Sequence, residues 1–275
     1  MTTRQSRLAS GWAAAALAFL LIIITFSTIY IFVKRIWWFP ESITALGADV
    51  DAQFVRTLVI TGIVFFLAQL GLGFAIVRYR DRGRRAVYSH GNNKLEILWT
   101  TATAIMFLGL GIAAERGWAR FHFQGASPGA LQIEVVGQQF QWNFRYPGPD
   151  GVFGRTDPSL INDAAGNFVG LDSTDPAAQD DLVLPIIAIP VNREVELILR
   201  AKDVTHSFFV RELRFKQDTV PGLTIRVHFT ANKVGKYEIA CAELCGLGHH
   251  RMRSDLFVLP PDEYQNWLRQ QAETE

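Results

Sequence analysis

The chain has 275 residues, of which 49% are hydrophobic and 19% charged, and its formal net charge is +1. A charge so near zero supplies no basic field for a phosphate backbone, so no nucleic-acid partner is expected. So large an apolar share with so few charges excludes a large soluble enzyme and fits a small membrane-anchored protein.

In chain order, the first element is Gly11 to Val33, which contains no charged residue. At 1.5 Å per helical residue such a run crosses a hydrocarbon core of about 30 Å. Similar runs at about 57–77 and 97–114 predict three transmembrane helices within a membrane region spanning residues 1–118. The loop between the second and third runs carries Arg78, Arg80, Arg82, Arg84, Arg85 and Lys94 against Asp81, which marks it as cytoplasmic. Arg4 and Arg7 place the N-terminus on the same side, and the loop around Glu41, Asp49 and Asp51 faces out. The remainder then lies outside a bacterial-type inner membrane, in the periplasm. A cleaved signal peptide would have an apolar run of about seven to fifteen residues and an Ala-x-Ala site. The first run is longer and has no such site close behind it, so it is expected to be retained.

Residues 119–260 read as an all-β domain. Leu131 to Val136, Gln139 to Tyr146, Leu182 to Ile187, Glu194 to Arg200, Thr224 to Thr230, Lys236 to Ala240 and Asp255 to Leu259 are short runs rich in β-branched and aromatic residues. Gly, Pro, Asn and Asp separate them, as expected of a β-sandwich. Between Asp150 and Asp181 seven aspartates stand against the single Arg155, which is either a docking face for a basic partner or a solvated loop. Pro261, Asp262 and Glu263 open a terminal helix and tail over 261–275.

Within Cys241–Met252 lie both cysteines of the chain, His249 and the one methionine outside the initiator and the apolar segments. Thiolate, thioether and imidazole together select copper over magnesium, calcium or manganese. Two thiolates four residues apart can bridge a pair of metal ions, and such a pair needs a second imidazole. His250 adjoins His249 and would point away from it, whereas His206 heads the apolar run Ser207–Val210. A disulfide is the ordinary expectation in an oxidising compartment, but one closing so short a loop stabilises little. Zinc prefers Cys, His and carboxylates to a thioether.

These residues resemble the copper motif of subunit II of haem–copper cytochrome c oxidases, C-x-E-x-C-x3-H-x2-M with an upstream D-V-x-H-S. The matching positions are Cys241, Glu243, Cys245, His249 and Met252, with Asp203, Val204, His206 and Ser207 upstream. The likeness extends through His90–Thr100, Gln139–Tyr146 and Lys216–Gly222, so it covers nearly everything after about residue 57.

The resemblance implies a membrane-anchored α + all-β fold, with N-terminal transmembrane helices followed by a cupredoxin-like β-sandwich. It implies a dinuclear copper centre, CuA, bridged by Cys241 and Cys245. His206 and His249 would each bind one copper, and Met252 and the Glu243 carbonyl would be weak ligands. The Glu243 carboxylate would help hold a magnesium ion at the interface with subunit I. Phe140 and Trp142 correspond to the aromatic stretch where electrons enter, although the family usually has tryptophan in place of Phe140. Lys202 stands where the family often has an acid. Glu96 corresponds to a glutamate at the mouth of a proton path.

The implied activity is that of a proton-translocating oxidoreductase subunit. It takes electrons from cytochrome c or another cytochrome and passes them to haem in subunit I, where oxygen becomes water. The haems belong to that subunit, and the chain has no Cys-x-x-Cys-His of its own. The implied partners are subunit I, the other oxidase subunits, the donor cytochrome and membrane lipid. The alternatives are the copper subunit of a nitric oxide reductase and a membrane-anchored copper-binding or delivery protein.

Overall fold

The computed structural model describes residues 2–80, 82, 85, 87–88 and 90–274. Asp81 and Arg84 of the basic loop fall outside the described residues. The chain divides into two compact units. One comprises residues up to Phe39 together with Ala52–Ala114, and the other Pro40–Asp51 together with the chain from Glu115 onward.

The helical unit is built from α1 (Thr2–Val33), α2 (Ala45–Arg78) and α3 (Asn93–His122), whose ends reach into the neighbouring segments. Three of its stretches, Gly11–Val33, Ala45–Arg78 and Asn93–Arg120, are long and apolar enough to cross a membrane. The N-termini of α2 and α3 are capped locally. Thr44 Oγ1 accepts from the Gly47 N–H at 2.8 Å, and Asn92 Oδ1 accepts from the N–H groups of Lys94 and Leu95. Thr25 and Thr28 return their hydroxyls to the carbonyls of Leu21 and Ile24, so neither leaves a hungry group on an apolar surface. Phe32, Trp38, Phe39 and Phe54 cluster at one end, an aromatic belt of the kind found at membrane–water boundaries.

The second unit is a β-sandwich of two five-stranded sheets. The first contains β1 (Leu131–Gln138), β2 (Gln141–Tyr146), β3 (Leu182–Leu184), β5 (Glu194–Ala201) and β8 (Ile225–Thr230), in the order β3-β2-β1-β5-β8. The second contains β4 (Ile187–Pro190), β6 (His206–Val210), β7 (Phe215–Thr219), β9 (Gly235–Cys241) and β10 (Arg253–Leu259), in the order β4-β10-β9-β6-β7. β1 runs parallel to β5 and β4 parallel to β10, and the other pairings are antiparallel. Inward residues such as Ile133, Val135, Phe144, Leu197, Phe208, Ile239 and Val258 fill the space between the sheets. The terminal helix α4 (Pro261–Thr274) lays Tyr264 and Trp267 against this core, with Trp267 edge-on to Tyr146.

Two expected strands differ in the structure. The run 139–146 begins with a two-residue hairpin, because Gln138 pairs with Gln141 and leaves Gln139 and Phe140 as the turn. The run 182–187 breaks at Pro185, which has no N–H for a ladder, and its halves join different sheets. β7 is an edge strand with a mostly polar sequence, which is why hydrophobic alternation did not reveal it.

Residues 40–51, which lead into α2 and include its first turns, belong to the same unit as the sandwich. Ile43 is buried in the core, and its N–H and carbonyl bond to the Glu212 carbonyl and the Asn232 N–H. Arg214 meets Asp51 through two hydrogen bonds, of 2.7 and 3.1 Å.

The aspartates between 150 and 181 chiefly build their own loop. Asp157 and Asp175 cap 3-10 turns at Pro158–Leu160 and Pro176–Ala178, and Asp172 accepts from the N–H and hydroxyl of Thr174. Hydrogen bonds from Ser159 and Thr174 hold the carboxyls of Asp157 and Asp172 below the usual range. Asp181 is buried and fastens the loop to the sheet. Its Oδ2 receives both Nε and Nη2 of Arg145, whose Nη1 donates to Glu134 Oε2 at 3.0 Å.

Candidate metal centre

The end of the sandwich where β6 begins, β9 ends and β10 begins gathers the soft donors. β6 pairs antiparallel with β9, with Phe208 opposite Cys241, and β9 pairs antiparallel with β10. His206 at the head of β6 is therefore brought beside Cys241 at the tail of β9. The connection from Cys241 to Arg253 is closed on itself, since the Cys241 N–H donates to the Met252 carbonyl at 3.1 Å. The Ala242 N–H bonds to the Ser207 carbonyl at 3.0 Å and ties the same loop to β6.

His206 Nδ1 lies 4.0 Å from Cys241 Sγ, which lies 3.8 Å from Cys245 Sγ. Cys245 Sγ in turn lies 3.5 Å from His249 Nδ1 and 3.8 Å from Met252 Sδ. The Glu243 carbonyl oxygen is 3.2 Å from Cys241 Sγ. Both cysteines are free thiols. His206, Cys245 and Met252 are buried, Cys241 and His249 are half-buried, and the Glu243 side chain is exposed. His250 is exposed and its ring nitrogen faces Arg251 instead.

The His206 ring is oriented by Asp203. Asp203 Oδ1 lies 2.8 Å from His206 Nε2, which turns the other nitrogen, Nδ1, towards the sulfurs. Burial alone would raise the Asp203 carboxyl, but N–H donors from Gln139 and Val204, together with His206, hold it below its ordinary value. Burial likewise opposes a charged His206, yet Cys241 and Asp203 on its two sides raise its pKa.

The two thiols behave as a pair. Burial pushes Cys241 up, and hydrogen bonds from His206 and the nearby backbone overcome it and bring it down to about 6. Burial and the adjacent Cys241 charge push Cys245 up to about 11. Sulfurs this close cannot both ionise unless a cation sits with them.

These donors fit a soft metal. Two thiols, two imidazole nitrogens, a thioether and a carbonyl oxygen converge in a site from which water is largely excluded, the donor chemistry of copper. Among the described residues, His206, Cys241 and Cys245 form the one His/Cys/Asp/Glu group compact enough to hold an ion.

Two aromatic rings touch the site. Trp142 is buried and packs edge-on to His206, with ring centroids 6.1 Å apart. Phe140 is 37% exposed and covers the ligand loop at Gly246 and Gly248. Gly246 has φ +131°, and a Cβ at Gly248 would fall 2.4 Å from a Phe140 ring carbon, so the approach of Phe140 requires glycine there. Gln139, at the tip of the same hairpin, donates its Nε2 to the Cys245 carbonyl at 2.5 Å. Sequence reasoning assigned no role to Gln139, Asp203, Gly246 or Gly248. The spacing of Asp203 three residues before His206 was the available signal for one of them. Glu96 belongs to the helical unit, exposed in the first turn of α3.

Residues 131–256 match the family model described as cytochrome c oxidase subunit II, periplasmic domain. The alternative cytochrome c oxidase subunit 2 of Bradyrhizobium diazoefficiens is 34% identical over 262 residues, covering 93% of this chain and 92% of that protein. The cytochrome c oxidase subunit 2 of Thermostichus vulcanus is 31% identical over 258 residues, covering 84% of this chain and 77% of its own. Among solved structures, the periplasmic domain of subunit II of the Bradyrhizobium japonicum cytochrome oxidase is 25% identical. It covers 54% of this chain and 99% of its own, with a TM-score of 0.40.

Proposed function

Because this chain belongs to the cytochrome c oxidase subunit II family, and so serves in a haem–copper terminal oxidase, we propose that it takes electrons from a cytochrome c at a dinuclear copper centre, CuA, and passes them to haem in subunit I. In this reading Cys241 and Cys245 would together hold two copper ions, His206 and His249 would each bind one, and Met252 and the Glu243 carbonyl would be weaker ligands. The bound pair supplies a one-electron store. The observation that carries the reading is the unbroken chain of soft donors from His206 through both sulfurs to His249 and Met252, each step 4.0 Å or less.

The chain's own residues hold that site in place. Strand pairing fixes the two ends of the ligand loop, Asp203 holds the His206 ring, Trp142 packs on His206 and Phe140 lies over Gly246 and Gly248. A site that changes little on oxidation needs little reorganisation, which suits transfer rather than substrate binding. Burial of His206, Cys245 and Met252 also disfavours a delivery protein, which must release its metal.

Phe140, exposed and in contact with the ligand loop, is the proposed point where electrons enter, with Trp142 behind His206 on the inner side. Hydrogen bonds favour the charged form of Asp157 and Asp172 while these two brace their turns, and negative charge on this loop favours encounter with a basic cytochrome face. Glu96 is the proposed receiver of protons from the cytoplasm, in support of oxygen reduction coupled to proton translocation. The exposed Glu243 carboxylate is the proposed magnesium ligand at subunit I. The basic residues around Arg78, Arg80, Arg82 and Arg85 support a cytoplasmic loop in a bacterial inner membrane, with the sandwich in the periplasm.

The test is spectroscopy of the full chain, solubilised in detergent and loaded with copper. One unpaired electron shared equally over two coppers is expected. A signal from a single copper overturns the proposal.

A further inference from the structure

A cavity of about 430 Å³ opens between α1 and α2 within the helical unit. Leu21, Phe66, Leu70 and Phe74 give it apolar walls, and Arg78 and Arg82 line one end. Thr25, which also lines it, bonds to its own helix, whereas Gln69, in the same wall, has a buried side-chain oxygen with no hydrogen-bond partner. On α2 the lining runs from Phe66 to Arg78, which at 1.5 Å per residue is about 18 Å. That is the depth of one leaflet, since half of a hydrocarbon core is about 15 Å.

We infer that this groove is a binding site for an anionic phospholipid, with an acyl chain lying along the apolar walls and the phosphate held by Arg78 and Arg82. The inference rests on the reading of α1 and α2 as membrane helices. Charge and depth together select the occupant. A helix from a neighbouring subunit would follow the whole bilayer of about 30 Å and would have no use for two arginines at one end. A phospholipid fills one leaflet and sets its negative charge at the boundary, where the arginines are. Basic pockets between membrane helices hold acidic headgroups by the same physics, each basic residue adding about 1 kcal/mol, or roughly fivefold in affinity.

The sequence supplies the separate reason for an acidic lipid over a zwitterionic one. Arg78 and Arg82 belong to a run with Arg80 and Arg85, so the local field at this end is positive well beyond the groove. A net-neutral headgroup gains little from such a field, whereas phosphatidylglycerol gains from every residue within about a Debye length.

The experiment uses the assembled oxidase, purified in detergent and stripped of loosely held lipid. Retained phospholipid is then extracted and identified by mass spectrometry, and haem and copper content confirm assembly. Wild type is expected to keep phosphatidylglycerol and to rebind it in preference to phosphatidylcholine. Arg78→Gln should weaken rebinding about fivefold and Arg78→Gln/Arg82→Gln about thirtyfold. Leu70→Trp keeps both arginines but fills the groove, and should release the lipid as well. Unchanged retention in both the arginine pair and the Leu70→Trp variant overturns the site. So does a photo-crosslinker at position 70 that labels a neighbouring subunit instead of lipid. Alkaline extraction of the membranes separates the two levels of the argument. Release of the chain would end the membrane reading itself, whereas an embedded chain with unaltered lipid retention would end only this site.

Discussion

Asp203 Oδ1 and His206 Nε2 lie 2.8 Å apart within one turn of chain, and this contact leaves His206 Nδ1 facing Cys241. Asp203 also receives the Gln139 N–H at 2.7 Å, so a single carboxylate fixes the imidazole ligand and the hairpin that carries Phe140. Partners of this kind typically contribute 10–100-fold to metal affinity. Asp203→Ala should weaken copper binding by about that factor, read by competition with a chelator, while Asp203→Asn should retain part of it. A change of less than about threefold would remove Asp203 from the site.

The thiols should differ sharply once the metal is removed. Cys241 is lowered to about 6 and Cys245 raised to about 11, so at pH 7.5 the first is largely thiolate and the second thiol. The thiolate is the reactive form, and Cys245 is also buried. Brief iodoacetamide treatment of the metal-free protein should label Cys241 in large excess over Cys245. Peptide mass spectrometry would detect it, and equal labelling would contradict the pairing. Lowering the pH through 6 should protonate Cys241 and slow its labelling.

Gly248→Ala should strain the contact with Phe140. Its Cβ would lie well inside the ring's van der Waals surface, and overpacking of this sort costs about 1–3 kcal/mol. Gly248→Ala/Phe140→Ala should recover most of that loss, because the second change removes the obstacle. Thermal denaturation of the four members of the cycle measures the coupling, and additive effects would mean that the ring simply moves aside.

Arg145→Met should be the most damaging of the charge changes. Arg145 is 2% exposed and is the shared partner of Glu134 and Asp181, so its loss leaves the buried Asp181 with no ion pair and Glu134 with Arg200 alone. Breaking a buried pair from one side costs about 3–5 kcal/mol. The loss should be visible in chemical denaturation, together with protease sensitivity in the 147–181 loop, which Asp181 no longer fastens.

A fragment beginning near residue 120 should be less stable than the same sandwich in the full chain. It lacks Ile43, which is 2% exposed in the core, and Asp51, which pairs with Arg214. Ile43→Ala in the full chain should cost about 2–5 kcal/mol of sandwich stability. A melting temperature of the sandwich unaffected by this change would show that residues 40–51 only rest on its surface.

Length, uncharged runs and ligand chemistry are local properties, and the sequence by itself determined whatever depends on them. Three long apolar helices, a β-rich domain and the soft donors of Cys241–Met252 could be read without coordinates, since each rests on residue type at fixed spacing. His206 could be paired with the cysteines from ligand softness, although 35 residues separate it from Cys241. Only the tertiary structure decided how they meet, because the antiparallel pairing of β6 with β9 sets which strand ends share an edge. It also decided that residues 40–51 belong to the sandwich, that Pro185 divides one expected strand between two sheets, and that the acidic loop uses its aspartates to hold itself. These depend on the partners a group finds far along the chain. Hydrophobic periodicity reports which face of an element is buried, but not what it is buried against.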